Sequence, residues 1–159
     1  MKKIILVVIT ALFALTVSAD DVDQLLDKYK KYPKAEYLHV PKIMMKMGLA
    51  FSKDDMDKGT ENIASKISSM SILDLEDCNR DVRDSFMKEI NRLQQSGYEP
   101  LVKVNNGNQK VSILLRQGGN HIKEILIVNS ETDGCQLIQF KGKIRQEDIE
   151  KLINNSRIN

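Results

Sequence analysis

The sequence predicts an α+β fold, a two-layer sandwich in which helices cover an antiparallel sheet, and two observations carry this expectation. Apolar residues in the first part of the chain recur mostly at spacings of three and four, whereas from residue 100 onward the period falls to two. In that later stretch, four β-type segments are separated by short runs holding Gly with Asn or Asp, residues for which the positive φ of tight turns costs little. The 159 residues suit one domain. With 42% hydrophobic and 29% charged residues, the composition is that of a globular protein rather than a disordered or multi-span membrane chain.

The chain opens with Met1-Lys2-Lys3, a 14-residue apolar run over 4–17, and Val17-Ser18-Ala19 before Asp20. A run too short to cross about 30 Å of hydrocarbon as a helix, ending in small residues at the first and third positions before a junction, has the marks of a secretory signal peptide. The expectation is a Sec-type signal over 1–19 cleaved after Ala19, a single domain over 20–159, and a periplasmic or secreted product with no stable membrane span. Without Lys2 and Lys3 the 24 basic residues become 22, equal to the 22 acidic ones, so the formal charge of +2 falls to zero. A neutral chain has little electrostatic claim on nucleic acid or anionic lipid. Export also puts Cys78 and Cys135, 57 positions apart, in an oxidising compartment. They are a candidate disulfide, worth about 4 kcal/mol by loop closure if unstrained, with two buried and separate thiols as the alternative.

Val22, Leu25, Leu26, Tyr29 and Tyr32 predict a helix over 21–32, stopped by Pro33. Tyr37 and Val40 favour a strand over 35–40, after which Pro41 can open a second helix with Ile43, Met44, Met47, Ala50 and Phe51 on one side. The charged stretch 52–60 reads as a loop before a short helical segment with Ile63 and Ile67 in phase. A strand is expected over 70–75. The clearest helix follows, where Val82, Phe86, Ile90 and Leu93 form one stripe, Asp81 and Asp84 favour the N-terminal end, and Gly97 suits a left-handed cap. Strands are then expected over 100–104, 111–116, 122–128 and 136–144, and a last helix over 146–155 with Ile149, Leu152 and Ile153 on one face. The central helix and the terminal helices are expected to cover the sheet.

The run Ile125-Leu126-Ile127-Val128-Asn129-Ser130, then Gly134 and 137–144 (LIQFKGKI), together with the early helix from Val22 to Tyr29 and the export-like start, resembles domain-of-unknown-function family 4252. The resemblance covers essentially the whole chain after residue 19. It implies a small exported envelope protein of Gram-negative bacteria with an α+β domain and no established activity, so it transfers no catalytic residue. Many such proteins are lipid-anchored, and this chain departs from that pattern because Asp20 stands where the lipid-bearing cysteine would be.

His39 and His121 are the possible general bases for a hydrolase, yet neither lies in a G-x-S-x-G, S-x-x-K or cysteine-protease context. The acid runs Asp54-Asp55-Met56-Asp57 and Glu76-Asp77 lack the spacing of a calcium loop and read as loop and cap charges. Met44, Met45 and Met47 with His39 could form a Cu(I) site, because thioethers select that ion. The competing reading has Met44 and Met47 filling core space beside Ile43 and Phe51. Sugar binding is disfavoured by the absence of Trp and by Phe51, Phe86 and Phe140 lying on core stripes. Lys141, Lys143 and Arg145 alternate at the end of the last strand, either as a partner-binding ladder or as charges protecting an edge strand. The expected function is therefore non-catalytic, needs no cofactor, and consists of binding an envelope protein or small ligand through the sheet or the Met-rich helix face.

Overall fold

The computed structural model describes residues 21–52, 56–93 and 95–156, except for the side chains of 152–156. The expected signal segment lies outside the described residues, as do Asp54 and Asp55. The elements run α1 (Asp21–Tyr29), β1 (Glu36–Pro41), α2 (Lys42–Ser52), α3 (Lys58–Lys66), β2 (Ile67–Asp74), α4 (Arg80–Leu93), β3 (Tyr98–Asn106), β4 (Gln109–Gln117), β5 (Ile122–Ser130), β6 (Cys135–Ile144) and α5 (Gln146–Ser156). All strands join one antiparallel sheet in the order β1-β2-β6-β5-β4-β3. The C-terminal meander is thus as the period change predicts, and β1 and β2 extend it beyond β6.

Local chemistry explains the boundaries. Asn79 caps α4, its side-chain carbonyl accepting from the Val82 N–H at 3.0 Å, and Gly97 follows the helix at φ +88°. Asp57 caps α3 by accepting from the Gly59 and Thr60 N–H groups. Gly142 in β6 has a different reason to be glycine. A Cβ there would lie 2.4 Å from the Lys66 carbonyl oxygen and 3.1 Å from the Ile67 Cα, where α3 passes into β2.

One face of the sheet is closed. Leu73, Leu114, Leu126, Val128 and Leu137 meet Val22, Leu25, Leu26 and Tyr29 of α1 and Phe86, Ile90 and Leu93 of α4 in a single buried cluster. Tyr29 packs edge-on to Phe86, with ring centroids 5.0 Å apart. Each such side chain contributes about 1.5–3 kcal/mol on full burial. The other face carries a smaller cluster in which Leu115, Ile122 and Ile144 pack with Ile63 of α3 and Ile149 of α5. The two terminal helices therefore lie on opposite faces rather than sharing one, because α5 turns back over the strand that Ile144 ends.

Candidate binding surface

Helix α2 is made of good helix formers, Met, Leu, Ala and Lys, and packs on β1, β2 and α3. It turns Met45 and Leu49, a helical i, i+4 pair, partly inward. The opposite side holds Ile43 (67% exposed), Met44 and Met47 (both 57%) and Phe51 (86%). Methionines 44 and 47 therefore do not fill core space, and Phe51 is not claimed by the core. The reason is that both sides of α2 are apolar, and the sheet took the side carrying Met45 and Leu49. The only charged residues of the helix are Lys42 and Lys46, both exposed.

The sheet face beneath α2 carries a second apolar surface. Residues in register across neighbouring strands place Leu38, Ile72, Ile138, Ile127, Ile113 and Val102 in one row from edge to edge. None of the six is buried, and Leu38 and Val102 are 54% and 38% exposed. Side chains two residues apart share a face, so this row lies on the same face as Leu115 and Ile125 of the smaller cluster. Helices α3 and α5 cover only part of that face. Beside it, a cavity of about 220 Å³ opens between β3 and α5, walled by Pro100, Leu101, Leu115 and Ile149 and edged by Glu99 and Glu150.

The polar groups of the fold are, by contrast, engaged internally. On the closed face Glu124, 5% exposed, accepts from Tyr98 Oη at 2.7 Å and from Gln139 Nε2 at 2.6 Å, with the Arg116 guanidinium 3.8 Å away. Gln139 also donates to Asp23 of α1 at 2.9 Å. Burial and then the Glu124 hydrogen bond raise the Tyr98 hydroxyl well above the usual phenol range. On the open face the Asp148 carboxylate, buried in α5, is bound by Lys66, Asn62 and Arg145. The Lys66 and then the Arg145 hydrogen bonds hold it well below the usual carboxylate range. A cleft of about 590 Å³ between α1 and α4 is lined mainly by charged and polar residues, and two of them, Lys28 and Glu89, pair with each other.

The candidate residues distribute as follows. His39, exposed on edge strand β1, shares a 3.0 Å hydrogen bond with Ser71, which lies on the closed face of the sheet. His39 is thus separated from Met44 and Met47 by the sheet, and the four candidate Cu(I) ligands are not brought together. No group of three or more His, Cys, Asp or Glu residues is placed to hold a metal among the described residues. Ser71 is 3% exposed, and His121 sits in the β4–β5 turn with Nδ1 3.5 Å from Asn120 Oδ1. Lys141, Lys143 and Arg145 do not form one ladder. Lys141 pairs with Asp23, Arg145 with Glu147 and Asp148, and Lys143 is exposed. The edge-protection reading is overturned, because β6 lies between β2 and β5.

Cys78 and Cys135 are buried in the same core cluster and are not joined. Two backbone hydrogen bonds bridge their neighbourhood, from Leu75 N–H to the Cys135 carbonyl and from Cys78 N–H to the Leu75 carbonyl. Burial pushes the Cys135 thiol up to about 12 and raises that of Cys78.

The fold and this surface define a class: a small antiparallel α+β module closed by helices on one face and apolar but partly open on the other. The chain belongs to the family described as Domain of unknown function (DUF4252), which matches residues 29–152. No curated protein and no solved structure matches the chain.

Proposed function

We propose that this chain is a non-catalytic exported envelope protein that works by binding a partner through the outward face of α2 and the open sheet beside it. One observation carries the reading: Ile43, Met44, Met47 and Phe51 stand together in water on the side of α2 turned away from the sheet. Contiguous exposed apolar surface of several hundred Å² marks interaction sites in monomeric proteins. Methionine suits such a surface because its flexible thioether adapts to the shape it meets. The internal pairing of Glu124, Asp148 and Lys141 supports the same reading, since these groups serve the fold.

Retention from envelope extract tests the proposal. Immobilised wild type should hold a defined component that the Met47→Asp, Phe51→Asp double variant releases. Identical retention by both proteins contradicts it. Export further implies that Cys78 and Cys135, neighbours in one core cluster, are oxidised to a disulfide in the mature protein. Its intact mass should rise by two hydrogens on treatment with reductant, and an unchanged mass contradicts the pairing.

A further inference from the structure

Two features meet at the β3 end of the sheet. The first is a strand edge. Among the described strands β3 pairs with β4 alone, every residue after Tyr98 is exposed, and Leu101, Val102 and Val104 are 44%, 38% and 50% exposed. From Val102 to Asn106 it keeps step with β4, so alternate residues direct their N–H and C=O groups away from β4 as a template for another strand. The devices that discourage such pairing sit mostly before that stretch, in Pro100 and the bulge that leaves Leu101 out of register, and Lys103 is the one charge within it. The opposite edge, β1, is shorter, ends in Pro41 and runs directly into α2, which packs on it. The second feature is the cavity of about 220 Å³ between β3 and α5, which opens where the bulge interrupts the ladder. Its volume decides what fills it. An apolar cavity of about 150 Å³ takes one benzene ring, whereas pockets for small-molecule ligands begin near about 300 Å³, so this one suits a single large side chain. Its rim carries the carboxylates of Glu99 and Glu150, and no Lys, Arg or His is among the described residues that line it. The donor to Glu150, Gln146 at 3.2 Å, is neutral.

We propose that the β3 edge and this cavity together bind an extended segment of another protein, which pairs with Val102–Asn106 as an added strand and seats an aromatic side chain, followed by a basic residue, in the cavity. Strand addition of this kind draws affinity from main-chain hydrogen bonds and specificity from pockets for alternate side chains. An added strand lies about 4.8 Å outside β3, with every second side chain on the open face opposite Val102 and Val104. The next such position beyond Val102 reaches the level of Glu99 and Leu101 at the cavity mouth. A cation beside the aromatic ring then meets the two rim carboxylates, and Lys103 does not oppose it, because the register puts Lys103 on the other face of β3 from Glu99. A second β3 does not supply this segment. Antiparallel pairing of two copies about Val104 brings Asn106 and the Gly107 turn toward the cavity, and pairing about Lys103 sets two lysines opposite each other. The site lies at the other end of the sheet from α2 and does not depend on that helix.

Fluorescence polarisation with the purified chain from Asp20 onward, which contains every described element, tests this. The probe is a labelled peptide of alternating valine and threonine in which phenylalanine takes the last valine position and an arginine amide follows it. Wild type should bind it saturably with a Kd of about 1–100 µM. Serine in place of the phenylalanine, or proline in place of a central residue, should each weaken binding at least about tenfold, the first by emptying the cavity and the second by removing a ladder donor. Glu99→Lys with Glu150→Lys should weaken the arginine probe by about fivefold or more and tighten one that ends in glutamate, with unchanged circular dichroism because both side chains are exposed. The Met47→Asp, Phe51→Asp variant should bind the probe as wild type does, so this site and the α2 surface fail or stand separately. No saturable binding at about 1 mM, or binding indifferent to the serine, the proline or the charge reversal, overturns the inference. A dimer joined through β3 that the probe does not dissociate overturns it as well.

Discussion

Residues with outwardly similar chemistry play opposite roles in this fold, and substitutions separate them. Met47 and Phe51 touch little of their own chain, so Met47→Asp and Phe51→Asp should each change unfolding free energy by no more than about 0.5 kcal/mol, read by urea denaturation. Loss of a folded baseline in either variant contradicts the outward placement. Gly142→Ala should cost about 1–3 kcal/mol, because the new methyl meets backbone, the Lys66 carbonyl and the Ile67 Cα, which cannot swing aside. Glu124→Ala should cost about 3 kcal/mol by leaving the buried Tyr98 hydroxyl without its acceptor and Gln139 with Asp23 alone. The sequence shows β5 as a nearly continuous apolar run, and one acid in it carries little signal alone. Its meaning depends on the register Tyr98↔Arg116↔Glu124↔Lys141, which aligns polar partners from four strands in one row. That alignment is a tertiary fact that no local period contains.

At the scale of elements, the clamp between α3 and α5 gives the fold an acid-sensitive joint. Asp148 is held in its charged form by Lys66 and Arg145, so its folded pKa lies below its unfolded value of about 3.9. The stability it contributes is therefore complete above that value and is lost as pH falls through the folded pKa. Asp148→Asn should lower stability at pH 7 and flatten the loss seen in wild type below about pH 4, measured by thermal unfolding across pH. An equally steep acid loss in the variant contradicts the assignment.

The α4 stripe, its Gly97 cap and the four meander strands were legible in the sequence, since each is set by local spacing and turn chemistry. The order of strands was not. Insertion of β2 beside β6 depends on contacts some 70 residues apart, so the basic residues of β6 resemble edge charges until that pairing is known. The side of α2 that faces the sheet was equally hidden, because Met45 and Leu49 compete with Ile43, Met44, Met47 and Phe51 on hydrophobicity alone.

As a whole molecule, the chain spends its polar interior on joining helices to the sheet and leaves one apolar face incompletely covered. Among the described residues no helix is long and apolar enough to cross a membrane, so that surface is not accounted for by a helical span. Two apolar faces, one sealed by α1 and α4 and one partly open, give the fold a direction in which it presents itself to a partner. The most direct test is site-specific photo-crosslinking in living cells from a probe at Met47, with a control probe at Lys88 on the exposed side of α4. A discrete adduct is expected from Met47, lost when Phe51→Asp is added, and none from Lys88. Equal labelling from the two positions, or no adduct from Met47, would contradict the claim that the outward face of α2 is the surface through which this protein acts.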